Sequence, residues 1–194
     1  MDFRNFLFSN RSYTPIPIVL VVLFFAKPSM PYFMWGCVLA FFGESIRINA
    51  VRYAGGVTRT IKVGAPSLCT TGPYACTRNP LYLGNMIIYC GIVFIAGGQY
   101  MWELFILVFI FFSFQYSMII SLEEETLNGL FGEDYTIYKR YVPRLFPRLS
   151  PWLGKDNRKP THLFKTLKTE NRTLQNLILI ITIIVIKTVL FPPV

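Results

Sequence analysis

The sequence predicts an all-α integral membrane protein of about five transmembrane helices, on two observations: it is too apolar for a soluble fold, and its basic residues gather between the apolar runs. Of 194 residues, 53% are hydrophobic, 16% aromatic and only 15% charged. A soluble domain of that size could not bury so much apolar surface, so lipid is the expected solvent. Apolar runs fall at 16–26, 32–43, 81–96, 104–122 and 177–190. With their flanks they set helices at about 14–26, 31–52, 80–97, 100–126 and 174–190, read as a single membrane-embedded domain over 1–194.

The first two runs are short for a hydrocarbon core of about 30 Å, and Lys27, Pro28 and Pro31 break the chain between them, so a short hairpin is expected. The second helix continues through Glu44 and Arg47, which lie three apart on one face and suit an ion pair near the interface. The segment 53–79 carries Gly55-Gly56, Gly64, Pro66 and Gly72-Pro73, the composition of an irregular, ligand-sized loop. Asn79 is a favoured N-cap and Pro80 suits the first helical position, which starts the third helix. Arg78 then sits at the positive end of that helix. The macrodipole would favour an acid there, so the cation implies an anionic ligand or a distant carboxylate.

The fourth helix runs into Glu123, Glu124 and Glu125, three acids that oppose its dipole. Successive helical residues point about 100° apart, so at most two of the three can face a common site and the other points to water. Further on, Gly132 can end one helix, Glu133 and Asp134 start another, Lys139 and Arg140 favour its last turn, and Pro143 stops it. Tyr135, Tyr138 and Tyr141 form a stripe better suited to packing than to a cofactor box. The stretch 155–172 is basic with Leu163, Phe164 and Leu167 on one side, as in a helix lying on a membrane surface, and the isoleucine-rich 174–190 then crosses.

Charge orients the chain. Arg4 and Arg11 precede the first run, Arg47, Arg52, Arg59, Lys62 and Arg78 lie between the second and third, and ten more basic residues lie from 139 to 172. Only Lys27 and Lys187 fall on the other side. The positive-inside rule places the N-terminus and the segments 53–79 and 123–173 in the cytoplasm, with the plasma membrane the expected site in a prokaryote. The net charge of +9 is explained by that topology and by anionic lipid, so no nucleic-acid partner is expected. With no C-x-x-C and a single histidine, His162, no metal site is expected. Residues 1–10 hold no apolar h-region, so a cleavable signal peptide is not expected either.

Gly72, Tyr74, Arg78, Pro80, Tyr82 and Gly84, followed by a Glu-Glu pair, a Phe-Gly-x-x-Tyr-x-x-Tyr run from Phe131 and Val142-Pro143-Arg144, resemble the isoprenylcysteine carboxyl methyltransferase family. The likeness covers about 68–148, is nearest to small prokaryotic members with five membrane helices, and extends more distantly to membrane phospholipid methyltransferases. It implies an S-adenosyl-L-methionine donor, an S-adenosyl-L-homocysteine product, no metal, and methyl esterification of a prenylated C-terminal cysteine. Carried onto this chain, the cofactor contacts are Pro66, Ser67, Leu68, Cys69, Tyr74, Asn79, Pro80, Leu81 and Tyr82, with the acidic contact on Glu123 or Glu124. The expected catalytic group is Arg78, Asn79, Glu124 and Arg144, with Arg78 or Arg144 orienting a carboxylate. A lipophilic acceptor would enter sideways from the bilayer near Tyr82, Asn85 and Tyr89, its head group near Arg144.

One departure stands out, since the family usually has Arg-His-Pro where this chain has Asn79. An amide can replace a histidine that only donates a hydrogen bond, and that reading is preferred. A C-terminal carboxylate, with a reference pKa of about 3.3–3.7, is ionised at neutral pH and needs no general base, whereas an amine must first lose a proton. No Gly-x-Gly-x-x-Gly motif is present, so a soluble Rossmann domain is not the cofactor cradle. A phospholipid amine or another lipophilic small molecule stays open as acceptor, as does a non-enzymatic membrane protein or transporter. A monomer is favoured.

Overall fold

The computed structural model describes residues 2–55 and 63–190; Gly56, Arg59 and Lys62 of the first long segment lie outside them. Six α-helices account for the regular structure, with no strand among the described residues: α1 Phe3–Ser9, α2 Pro15–Phe25, α3 Met30–Ala54, α4 Pro80–Ala96, α5 Met101–Tyr141 and α6 Leu163–Leu190. A 3-10 turn, Gly72–Ala75, lies in the loop before α4.

The centre of the fold is the antiparallel pair α3 and α4. Gly36, Ala40 and Gly43 on α3 face Gly84, Ile88, Gly91 and Ile95 on α4, and small residues let the two backbones meet. A Cβ built on Gly43 would lie 2.7 Å from the Gly84 carbonyl oxygen, and one on Gly36 would lie 2.6 Å from the Gly91 carbonyl oxygen. Neither backbone atom can swing aside as a side chain would. The seam therefore fixes both the register and the separation of the two helices.

At the end with short turns, the Lys27 N–H donates to the Ala96 carbonyl at 2.9 Å. The Lys187 ammonium, from the last turn of α6, reaches the Leu23 carbonyl at 2.8 Å. A cation there adds a donor at the C-terminal carbonyls of α2, where the helix dipole favours positive charge. The opposite end carries the long segments and every acid of the 123–125 cluster.

Apolar side chains cover much of the outer surface, including Phe24, Trp35, Phe41, Trp102, Ile110 and Val189, all more than half exposed. Two helices, α5 and α6, are long and apolar enough to cross a membrane. The apolar window of α6 is only 6% buried within the protein, so most of its apolar surface has little protein cover and suits lipid. By contrast α2, at 11 residues, spans about 16 Å at about 1.5 Å per residue, roughly half a hydrocarbon core.

Three boundaries differ from the sequence expectation. The final helix starts at Leu163 rather than 174, because no glycine or proline separates the basic stretch from the apolar one, and the expected surface helix over 155–172 is instead an irregular 155–162 followed by the first turns of α6. The fourth predicted span does not stop near 126 but continues to Gly132, whose φ of 50° and ψ of −117° break the helix before it resumes to Tyr141. The short α1 has no counterpart in the expected elements; it is held by Arg4, which pairs with Asp2 at 2.8 Å and Glu125 at 2.9 Å.

The seam sets a test. Gly43→Leu should lower the detergent melting temperature by an amount corresponding to at least about 1–3 kcal/mol, since overpacking here meets backbone. Gly129→Ala, with no neighbour within 4 Å of the added Cβ, should instead be neutral or stabilising by up to about 1 kcal/mol. Equal melting temperatures for the two variants would contradict the close approach.

Candidate functional site

A cavity of about 860 Å³ opens between the long segments and the helix ends. Its walls come from the loop 64–69 and Tyr74, the later part of α3, α4 over 80–92, the α5 stretch 116–138, α6 over 170–180 and the α1–α2 corner. Pro66, Ser67, Leu68, Cys69, Tyr74, Arg78, Asn79, Pro80, Leu81, Tyr82, Asn85, Tyr89, Glu123 and Glu124 all lie on the wall. Residues separated by up to 58 positions in sequence thus meet around one space. Arg144 is the exception: it is not on the wall.

The first pillar is Arg78. Its Nε and Nη2 donate to one Glu124 oxygen at 3.1 and 2.8 Å, and Nη1 donates to the Val142 and Lys139 carbonyls at 2.6 and 3.2 Å. Both side chains of the ion pair are nearly buried, at 8% and 11% exposure. Of the two partners the sequence allowed for this cation, the structure supplies the distant carboxylate. Arg144 Nε stands 3.5 Å from the other Glu124 oxygen, so Arg144 supports the same acid from behind the wall.

Asn79 occupies the N-cap position of α4 but its side chain does not cap. Its amide nitrogen instead donates to the Arg144 carbonyl at 3.0 Å, where the Thr77 hydroxyl also donates at 3.2 Å. The reason is competition: the chain after α5 returns close to the start of α4 and offers a carbonyl that the amide reaches. An imidazole donor would be replaced there by an amide donor.

The three glutamates diverge as the helical period requires. Glu123 accepts from the Tyr82 hydroxyl at 3.0 Å, Glu124 takes Arg78, and Glu125 turns outward to Arg4. Tyr82 also packs on Tyr116 with ring centroids 4.8 Å apart, and Tyr89 stacks on Phe112 at 3.9 Å. These rings continue the cavity from its acidic end toward Ile88, Ile92, Ile180 and α2. The lining is mixed: Ser67, Arg78, Glu123, Glu124 and Arg158 bring polar groups from the loop and helix ends, and Ile88, Ile92, Leu177 and Ile180 bring apolar ones from between the helices.

The tyrosine stripe packs, as expected. The Tyr138 hydroxyl donates to the Tyr74 carbonyl at 2.7 Å, and Tyr141 stacks on Trp152. Burial raises the Tyr74 phenol and the Cys69 thiol above their ordinary ranges, so both stay neutral at physiological pH. Neither is a ready nucleophile.

Sequence reading paired Glu44 with Arg47, and they do pair at 3.1 Å. It missed the remainder of that cluster. Arg47 also donates to the Asn85 side-chain oxygen at 2.6 Å and to Glu170, which is 2% exposed and arrives from α6. It likewise missed Asp156 and Arg158, which clamp the loop at Thr70 and Leu68. A usable signal existed: Asp156 and Glu170 are the sole acids in the basic stretch 155–172, and both turn inward to long-range partners. Among the described residues no group of His, Cys, Asp or Glu is placed to hold a metal ion.

Residues 32–134 match the family model described as phospholipid methyltransferase. Two curated proteins are similar over part of their length. The nickel-cobalt-cadmium resistance protein NccN of Alcaligenes xylosoxydans xylosoxydans is 36% identical over 83 residues, which is 43% of this chain and 37% of that protein. The cobalt-zinc-cadmium resistance protein CzcN of Cupriavidus metallidurans is 32% identical over 89 residues, 46% of this chain and 39% of that protein. The chain thus spans about two fifths of the length of these relatives. No solved structure matches.

The buried ion pair generates a quantitative expectation. Arg78→Ala should cost about 3–5 kcal/mol, because it leaves the Glu124 carboxylate buried without its partner. The Arg78→Ala/Glu124→Ala double variant should lose less than the sum of the singles, a coupling measurable by thermal unfolding in detergent.

Proposed function

Because the chain belongs to the phospholipid methyltransferase family, the membrane methyltransferase superfamily that includes the isoprenylcysteine carboxyl methyltransferases, we propose that it transfers a methyl group from S-adenosyl-L-methionine to the carboxylate of a prenylated cysteine. The observation that carries this reading is one cavity lined by both polar and apolar residues. Its volume of about 860 Å³ falls within the 300–1,000 Å³ typical of small-molecule sites. Its polar lining suits a water-soluble cofactor and its apolar lining suits a lipid-soluble acceptor. Five spans with both long segments in the cytoplasm belong to the same reading, since the cofactor is cytosolic and the acceptor resides in the inner leaflet.

The residues present fit the cofactor. Backbone groups of Pro66, Ser67, Leu68 and Cys69, with Tyr74, would hold the adenosyl part, and the paired Glu123 and Tyr82 would accept or donate at its amino or hydroxyl groups. When bound, S-adenosyl-L-methionine supplies a sulfonium methyl, whose transfer to a carboxylate oxygen forms one C–O bond, breaks one C–S bond and moves no proton. The protein's task is then positioning and exclusion of water. Arg78, committed to Glu124 and two carbonyls, acts by rigidifying the wall, and Asn79 ties the start of α4 to the chain after α5. Tyr89, Asn85 and the α2–α6 side of the cavity would seat the acceptor.

A second reading has its own support, because the matched family model is described by phospholipid methylation. There the acceptor is an amine that must first shed a proton. Incubating the detergent-purified protein with labelled cofactor and either a farnesylated cysteine analogue or phosphatidylethanolamine separates the two. Base-labile methyl ester on the cysteine analogue is the expected product. Label confined to the lipid amine would overturn the carboxylate assignment in favour of the second reading.

A further inference from the structure

Segment 150–162 has neither helix nor strand, yet it is pinned along its length. The Trp152 N–H donates to the Ala75 carbonyl at 3.0 Å, the Thr70 N–H donates to Asp156 at 3.0 Å, and the Thr161 N–H donates to the Arg52 carbonyl at 2.7 Å. Between these points Arg158 reaches back, its Nη2 donating to the Leu68 carbonyl at 2.7 Å and to the Ser67 hydroxyl at 3.2 Å. Its Nε lies 2.8 Å from Asp156, which holds the guanidinium plane. Burial pushes Asp156 upward, but hydrogen bonds from Thr70 and Arg158 outweigh it, so the acid is held below its ordinary range and stays charged.

Five arginines line the cavity: Arg11, Arg47, Arg78, Arg158 and Arg172. Arg78 is committed to Glu124 and two carbonyls, and Arg47 to Glu44, Asn85 and Glu170. Arg11 folds over the Phe8 ring at 4.1 Å, at the α1–α2 corner, and Arg172 lies on α6. Arg158 alone sits against the loop that carries Ser67 and Leu68. Its Nη1 makes no hydrogen bond among the described residues, and the residue lines the cavity, so one edge of a rigid donor fork is left uncommitted there.

We propose that Arg158 receives the carboxylate at the amino-acid end of the cofactor, with Asp156 as its positioning residue and the pinned segment as the strap that delivers it. The inference rests on the cofactor assignment proposed above. It replaces both arginines that the sequence suggested for that task, since Arg78 is already occupied and Arg144 is off the wall.

Calorimetric titration of the purified full chain with S-adenosylhomocysteine and with 5′-methylthioadenosine, which lacks the amino-acid end, isolates this contact. Wild type should bind both. Arg158→Ala should weaken S-adenosylhomocysteine about tenfold or more, the range of a charged hydrogen bond, and leave methylthioadenosine unchanged; Arg158→Lys should recover part of the loss. Equal weakening of both ligands, in either variant, would reduce the strap to a structural clamp and overturn the proposal, as would unchanged affinity for both. Failure of wild type to bind either nucleoside would instead overturn the cofactor assignment itself.

Discussion

The contact on which the site depends is the nearly buried ion pair between Arg78 and Glu124. A charge removed from water is tolerated only when its partner and remaining hydrogen bonds are in place. Arg78 meets that demand with Glu124 and two carbonyls from the end of α5, so one side chain fixes the start of α4, the acid end of the long helix and the chain that follows it. Asn79 and Thr77 add hydrogen bonds from the same turn to the Arg144 carbonyl. Loss of this junction would separate the two stretches that enclose the cavity.

A second constraint works at the opposite scale. The glycine seam brings α3 and α4 to backbone contact, which places Arg47 beside Asn85 and lets Glu170 of α6 complete the cluster. Helix α6 otherwise has little protein around it, and its outward face is apolar. Its position is therefore set by a few polar anchors at its ends: Glu170 to Arg47 near one, Lys187 to the Leu23 carbonyl near the other. Such a wall can be firmly placed while its outward face stays apolar.

The protein's polar chemistry is concentrated in irregular segments held by regular ones. The 64–79 loop and the 142–162 strap contribute little secondary structure, yet Tyr138, Trp152, Asp156 and Arg158 lock them together. Preorganisation of this kind reduces the ordering cost of binding a flexible ligand.

Local chemistry was legible in the sequence. Apolar runs located the helices, Asn79-Pro80 marked the start of α4, Gly132 marked the break in α5, and three-residue spacing paired Glu44 with Arg47, because each depends on neighbours within a turn or two. The angular spread of Glu123, Glu124 and Glu125 followed from helical geometry alone. Which carboxylate Arg78 would take, 46 residues away, did not follow, nor did the outward position of Arg144, the diversion of the Asn79 amide from capping, or the inward reach of Asp156 and Glu170. Those choices are made by packing: once the small-residue seam and the return of the chain after α5 set which backbones meet, each buried polar group takes the partner within hydrogen-bond reach.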